Sequence, residues 1–387
     1  MLPTHSSGAG SFRNFDLNRV KSPCFVIDEV KLRENLKIIE SISNQSGAKI
    51  LLAIKAFSMW SMAPLFREHL NGICASSLWE AILCQKRFQF DEICTYAPAY
   101  KDSEFEQIAD ISSHIIFNTP NQLYRFSDIC KQNNTSVGLR INPLHSEGIE
   151  DKYDPCSPSS RLGFPIDQLE SSMLKGFDGI HMHTLCEQDF PPLERTWNEV
   201  SKHLRRWNKQ FKWINLGGGH LLTSPKYQRK DLIHFLKNLS EETGAQVYLE
   251  PGESVALDTG ILVGEILDIQ GSDKPTAILD ISATCHMPDV LEAPYRPALL
   301  NEAEEGVRIK LGGPSCLTGD NVGDYTFSSM PEPGQRIAFL DQAHYSMVKT
   351  NTFNGIPLPS IAVWNSDTDD LKVVREFDYT DFETRLS

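Results

Sequence analysis

Short apolar runs and amphipathic stretches alternate along the first two-thirds of the chain. The runs KILLAIKA (49–56), GICAS (72–76), EICTYA (92–97), HIIFNT (114–119), SVGLRINP (136–143), DGIHMHTL (178–185), WINLGGG (213–219) and QVYLEPG (246–252) are rich in β-branched and aromatic residues, as strands are. Between them lie SLWEAILCQKRF, DSEFEQIADI, PNQLYRFSDIC, PPLERTWNEVSKHL and RKDLIHFLKNL, which repeat apolar positions at helical spacing. Several open on Ser, Asp or Pro, residues favoured at helix starts. Eight strand–helix repeats over roughly 200 residues predict an α/β fold, a (β/α)8 TIM-type barrel. A doubly wound sheet also alternates, but it carries its glycine-rich turn after the first strand. Here the triple glycine follows the seventh.

After Gly252 the texture changes. TGILVGEILDI, PTAILDIS, VRIKLGG, QRIAFLD and PSIAVWN are strand-like and separated by turns without long helices, which predicts a mainly β C-terminal domain. The expected organisation is a flexible tail over 1–20, a strand over 21–29 (CFVIDE) joining the β domain, the barrel over 30–260 and the β domain over 261–387. Composition narrows the function. Of the 387 residues, 37 are Lys or Arg and 51 are Asp or Glu, a formal net charge of −14. That argues against a nucleic-acid binder, which needs a basic face. No stretch approaches the run of about 20 apolar residues that a membrane span requires. The nine cysteines are scattered, with no Cys-x-x-Cys pair, and read as reduced thiols of a cytoplasmic protein.

In a barrel of this kind the reactive residues lie at the C-terminal strand ends. Those positions hold Lys55, Ser76, Asn118, Arg140, His183, Gly217-Gly218-Gly219 and Glu250. Lys55 stands among apolar neighbours, where desolvation lowers an amine pKa and sharpens it as a nucleophile. A strand-end lysine reaching into solvent reads the same way. The triple glycine could cradle a phosphate with backbone N–H groups or make a plain turn. His181 and His183 alternate and share one side of a strand; no third ligand at metal spacing accompanies them, so no metal is expected. His183 could stack on a flat cofactor, and His181 reads as a hydrogen-bonded core histidine. Glu250, if buried, needs a cationic partner, either a pyridinium nitrogen or Arg140.

SPCFVIDE, LLAIKAF, CASSLWE, SRLGF, GIHMHTLCE, INLGGGH, YLEPGES, GPSCLTGD and HYSMVKTNTFNG occur in that order. With them the chain, from about residue 22 to residue 365, resembles the alanine-racemase-fold (fold-type III) pyridoxal-phosphate decarboxylases. The resemblance is nearest to the branch acting on the carboxylated polyamines carboxynorspermidine and carboxyspermidine. It implies pyridoxal 5'-phosphate as cofactor, with Lys55 holding its aldehyde, His183 stacked on its ring and Glu250 on the ring nitrogen. Gly217, Gly218, Gly219 and Tyr345 would take the phosphate. Cys316 matches the cysteine that the family delivers from the partner subunit, which implies a homodimer with shared active sites. One departure stands out: where ornithine and diaminopimelate decarboxylases read Glu-Pro-Gly-Arg, this chain reads EPGES and places Glu253 at the arginine position. A tail with two amines calls for carboxylates, and Glu253, Asp289 and Asp320 are the substrate-side candidates, Asp320 for its closeness to Cys316. Decarboxylation of diaminopimelate, ornithine or arginine, a racemase with a second base, and a non-catalytic regulator of the same fold are the competing readings.

Overall fold

The computed structural model describes residues 6–148, 154–204, 210–271 and 273–387. The chain divides into two compact units, one spanning Asn35–Val255 and the other joining the segment that ends at Glu34 to Ala256–Ser387. A first strand, β1 (Cys24–Asp28), belongs to the second of these.

Asn35–Val255 is a closed parallel barrel. Its strands are β2 (Lys49–Ala53), β3 (Gly72–Ala75), β4 (Ile93–Tyr96), β5 (His114–Phe117), β6 (Ser136–Asn142), a short β7 (Phe164–Pro165) that pairs only with β6, β8 (Gly179–His181), β9 (Trp213–Asn215) and β10 (Gln246–Leu249). The ladder runs β5-β4-β3-β2-β10-β9-β8-β6 and closes through β5 and β6. All eight apolar runs read from the sequence are therefore barrel strands. The helices Asp102–Ile111, Pro120–Gln132, Phe190–Leu204 and Arg229–Thr243 cover the outside, each laying one apolar stripe on the strands.

Trp213 explains why SVGLRI and DGI each carry a glycine. A Cβ on Gly138 would lie 2.1 Å from the Trp213 ring, and one on Gly179 would lie 2.0 Å from it. The indole fills the barrel interior together with Leu51, Ile116 and Tyr248, and its Nε1 donates to Ser136 Oγ at 2.9 Å. The N-terminal strand ends meet at Glu92, which accepts from Lys49 Nζ (2.6 Å) and Tyr248 Oη (2.6 Å), with His114 Nε2 at 3.0 Å. With that end plugged, ligands can reach the barrel interior from the C-terminal strand ends.

The second unit is a sheet ordered β14-β13-β12-β11-β1-β16-β17, with β15 on β11. Its remaining strands are β11 (Gly260–Gln270), β12 (Thr276–Leu279), β13 (Val307–Gly312), β14 (Asn321–Phe327), β15 (Arg336–Leu340), β16 (Ser360–Asn365) and β17 (Asp370–Arg375). β1 pairs antiparallel with β11 and parallel with β16. One expectation is corrected here. Residues 6–20 are not a loose tail: Phe12, Phe15 and Val20 are buried in a cluster with Cys24, Ile261, Leu340 and Trp364. The two phenyl rings lie 5.5 and 5.0 Å from Trp364. The rest of that segment, residues 1–5, falls outside the described residues. Among the described residues no helix is long and apolar enough to cross a membrane.

Candidate active site

The C-terminal strand ends of the barrel enclose a cleft of about 380 Å³, counting its space open to solvent. Lys55, Ser76, Arg140, His183 and Glu250 all line it, together with His181, Cys74, Cys94 and Tyr96. Lys55 follows β2 in a tight turn in which Ala56 N donates to Ala53 O. The end of β2 is tied to both neighbours, Ile54 N to Cys74 O at 3.3 Å and Ala53 N to Pro251 O at 3.0 Å. The lysine side chain reaches solvent at the mouth yet is ringed by protein. Desolvation, helped by the Arg140 charge and opposed by Glu250, lowers its pKa.

Glu250 directly follows β10. Its Oε1 accepts from Asn215 Nδ2 at 2.6 Å, and its Oε2 lies 3.2 Å from His181 Nε2. Burial opposes ionisation, but His181 and Asn215 outweigh it and hold the carboxyl at about 2. Burial pushes the His181 pKa down despite Glu250, and its Nε2 faces the carboxylate as a hydrogen-bond partner. Arg140, one of the two partners the sequence offered for Glu250, is engaged elsewhere: its guanidinium stacks 4.6 Å from the Tyr96 ring and donates to His183 O.

His183 is fixed by the triple-glycine loop. Gly218 N donates to its Nδ1 at 2.9 Å, which leaves the ring proton on Nε2. Desolvation, Lys55 and Arg140 all depress its pKa, so the ring is neutral. The glycines are needed because the loop threads between neighbouring backbones. A Cβ at Gly217 (φ +71°) would come within 2.4 Å of Met182 O, and one at Gly218 within 2.2 Å of Glu250 O. Two of the three amides expected to face a phosphate are engaged inside the barrel, Gly217 N on Asn215 Oδ1 (2.9 Å) and Gly218 N on His183. Gly219 N–H takes part in none of the described hydrogen bonds. A desolvated amine, a neutral imidazole, an ionised carboxylate and a backbone-lined loop fit a phosphorylated pyridine aldehyde. Glu253, at the arginine position, opens the short helix Glu253–Ala256 and is partly buried.

The other expected site residues lie in the β unit. Cys316 is exposed, and its N–H donates to Asn354 Oδ1 at 2.9 Å. Tyr345 is partly buried in a turn with φ +46°, a left-handed conformation uncommon for a bulky residue. The two substrate-side aspartates already have partners within the chain. Asp320 is buried, and its carboxylate accepts from Ser282 Oγ (2.9 Å), Ser315 Oγ (2.6 Å), Ser315 N (3.3 Å) and Thr284 N (3.1 Å). Three of these bonds converge on Oδ2 and one on Oδ1, so the carboxylate clamps the Cys316 loop. Asp289 is ion-paired with Lys349 at 2.5 Å, as is Glu292 at 2.6 Å. The sequence had not singled out Cys74, Cys94, Tyr96 or Asn215; the first three line the cleft from barrel strands, and Asn215, buried on β9, holds Glu250.

Comparison with known proteins places these features. Residues 24–343 match the family described as pyridoxal-dependent decarboxylase, C-terminal sheet domain. The chain is 39% identical to carboxynorspermidine/carboxyspermidine decarboxylase of Campylobacter jejuni, covering 95% of this chain and 99% of that one. It is 38% identical to carboxyaminopropylagmatine decarboxylase of Synechocystis, covering 96% of each. Among solved structures it is similar to Campylobacter jejuni carboxynorspermidine decarboxylase complexed with norspermidine, with TM-score 0.87, 37% identity and coverage of 95% of this chain and 100% of that one. Diaminopimelate decarboxylase of Helicobacter pylori shares the fold at 17% identity and TM-score 0.82, over 95% and 98% of the two chains.

Proposed function

The chain belongs to the pyridoxal-dependent decarboxylases, and from that premise we propose that it removes CO2 from carboxynorspermidine or carboxyspermidine, releasing norspermidine or spermidine. The observation that carries this reading is the meeting of Lys55, His183 and an ionised Glu250 on one solvent-open cleft. The choice of substrate is supported by the Campylobacter jejuni relative, named for those two substrates, and by the norspermidine complex of its structure.

When bound, pyridoxal phosphate supplies the electron sink for bond cleavage at the substrate Cα. Lys55 holds the cofactor aldehyde, and its lowered pKa favours the neutral, nucleophilic amine. Glu250 remains anionic and stabilises a proton on the ring nitrogen. His183, locked by Gly218, offers a neutral ring face against which the cofactor plane is oriented. Gly219 N–H and the Tyr345 hydroxyl are assigned to the phosphate. The Cys316 thiol would be the first candidate to supply a proton to the substrate Cα, and Lys55 the second.

The proposal includes a homodimer in which Cys316 serves the partner's site. Leu317 and Phe353 are large apolar side chains left 44% and 45% exposed beside exposed Cys316, as expected of a surface covered by another copy. All nine cysteines are free, which supports a reducing cytoplasmic setting.

A second reading has comparable support: the 38% identical Synechocystis relative is named for carboxyaminopropylagmatine, a tail ending in guanidinium. Purified enzyme supplied separately with carboxynorspermidine, carboxyspermidine, carboxyaminopropylagmatine and diaminopimelate separates the readings by product analysis. Turnover of diaminopimelate in preference to all three carboxylated polyamines would overturn the polyamine assignment.

A further inference from the structure

Beside Glu250 the cleft holds two thiols that the decarboxylation does not use. Cys74 on β3 and Cys94 on β4 are register partners on adjacent parallel strands, and both line the cleft. Their sulfurs and one Glu250 carboxylate oxygen all lie within 4.8 Å of one another. Buried free cysteines often act as small hydrophobes, and Cys94 does contribute to the barrel core. These two do more than fill space: Cys74 is hydrogen-bonded to both Cys94 and the Glu250 carboxylate, so two thiols and a carboxylate already converge on one point of the cleft.

We propose that, in the cofactor-free chain, Cys74, Cys94 and Glu250 coordinate a thiophilic divalent cation such as Zn2+ or Cd2+, and that this metal and pyridoxal phosphate exclude one another. Tetrahedral coordination with metal–sulfur bonds of about 2.3 Å and metal–oxygen bonds of about 2.1 Å sets ligand atoms roughly 3.5–3.8 Å apart. Small side-chain adjustments bring the present spread to that value. Three protein ligands leave the fourth position to a water facing the cleft. His181, whose Nε2 lies 3.2 Å from Glu250 Oε2, orients the carboxylate as an outer-shell donor. On binding, each thiol releases its proton to the buffer, two metal–sulfur bonds and one metal–oxygen bond form, and no electrons are transferred. Two sulfur ligands select soft ions over Mg2+ and Ca2+. The metal site stands on side-chain positions alone, whereas its antagonism to the cofactor rests on the proposed role of Glu250.

The test titrates Cd2+ into the full-length chain stripped of cofactor, read by calorimetry and by the ultraviolet cadmium–thiolate band, with far-ultraviolet circular dichroism confirming that each variant is folded. One Cd2+ binds per wild-type chain. Cys74→Ser and Cys94→Ser each lose the two-thiolate band and weaken binding by about tenfold or more. Cys186→Ser, which removes an exposed thiol outside the cleft lining, leaves stoichiometry and affinity unchanged. Pyridoxal phosphate added to the Cd2+-loaded chain displaces the metal, so the cofactor band rises as the cadmium band falls. Binding unaffected by either cleft substitution, or abolished by Cys186→Ser, overturns the metal site. Simultaneous binding of metal and cofactor overturns the exclusion and the cofactor role of Glu250 with it. Failure of the metal-free chain to bind pyridoxal phosphate would instead refute the proposed function.

Discussion

Glu250→Gln changes one atom and removes one charge, and the surrounding hydrogen bonds determine how the amide sits. Asn215 Nδ2 donates to Glu250 Oε1 at 2.6 Å and cannot flip, because its Oδ1 holds Gly217 N at 2.9 Å. The Gln oxygen therefore faces Asn215, and its NH2 faces His181 Nε2. His181 accommodates this by moving its proton to Nδ1, an atom that is buried without a partner. Exchanging charge-assisted bonds for neutral ones costs about 1 kcal/mol each, so the variant folds and retains the cleft. The function suffers more. An anion about 4 Å from a protonated ring nitrogen is worth about 4 kcal/mol at an effective dielectric constant near 20, which is on the order of a thousandfold in rate. Single-turnover CO2 release and steady-state kcat, measured with saturating cofactor, should both fall by about that factor while the cofactor band persists. A kcat within about fivefold of wild type, with the cofactor fully bound, would refute the role of Glu250 as ring-nitrogen partner.

Lys55→Ala should lose both the visible absorbance of bound cofactor and turnover, yet keep the far-ultraviolet spectrum, because the side chain lies past the end of β2; substantial decarboxylation without added amine would contradict it. Heterodimers of Lys55→Ala and Cys316→Ala subunits should regain about half the wild-type activity per dimer, one site being intact, and exchange that restores nothing would refute the shared site. At the opposite end of the barrel, burial penalises the Glu92 carboxylate, but His114, Lys49 and Tyr248 together lower its pKa from 4.5 to about 2. A depressed carboxyl contributes stability that is fully present above its unfolded pKa and is lost as pH falls toward 2, here about 3 kcal/mol. Glu92→Gln should therefore lower the midpoint of urea unfolding at pH 7 and flatten its decline between pH 5 and pH 2, and an unchanged acid limb would argue against this coupling.

What the chain determined by itself is the architecture and the level of the site within it. Eight β-rich runs separated by amphipathic stretches demand a parallel barrel, because each run must bury both faces and each stretch one. Strand ends then place Lys55, His183 and Glu250 around one mouth, since residues that follow parallel strands emerge at the same end. Tertiary structure alone decided which groups touch. Nothing in one strand says that Glu250 meets His181 and Asn215, because those contacts join residues that the closed sheet brings together but that lie 69 and 35 positions apart in sequence. For the same reason Cys74 and Cys94 read as scattered thiols until strand register set them side by side. Asp320 looked available because charge in a turn-rich segment suggests solvent, yet it is buried and takes four donors from Ser282, Thr284 and Ser315. Phe12 and Phe15 stand in a polar segment without periodicity, and their burial depends on Trp364, some 350 residues away. Periodicity records which face of an element is apolar; partner choice between side chains depends on distances that only the closed fold sets.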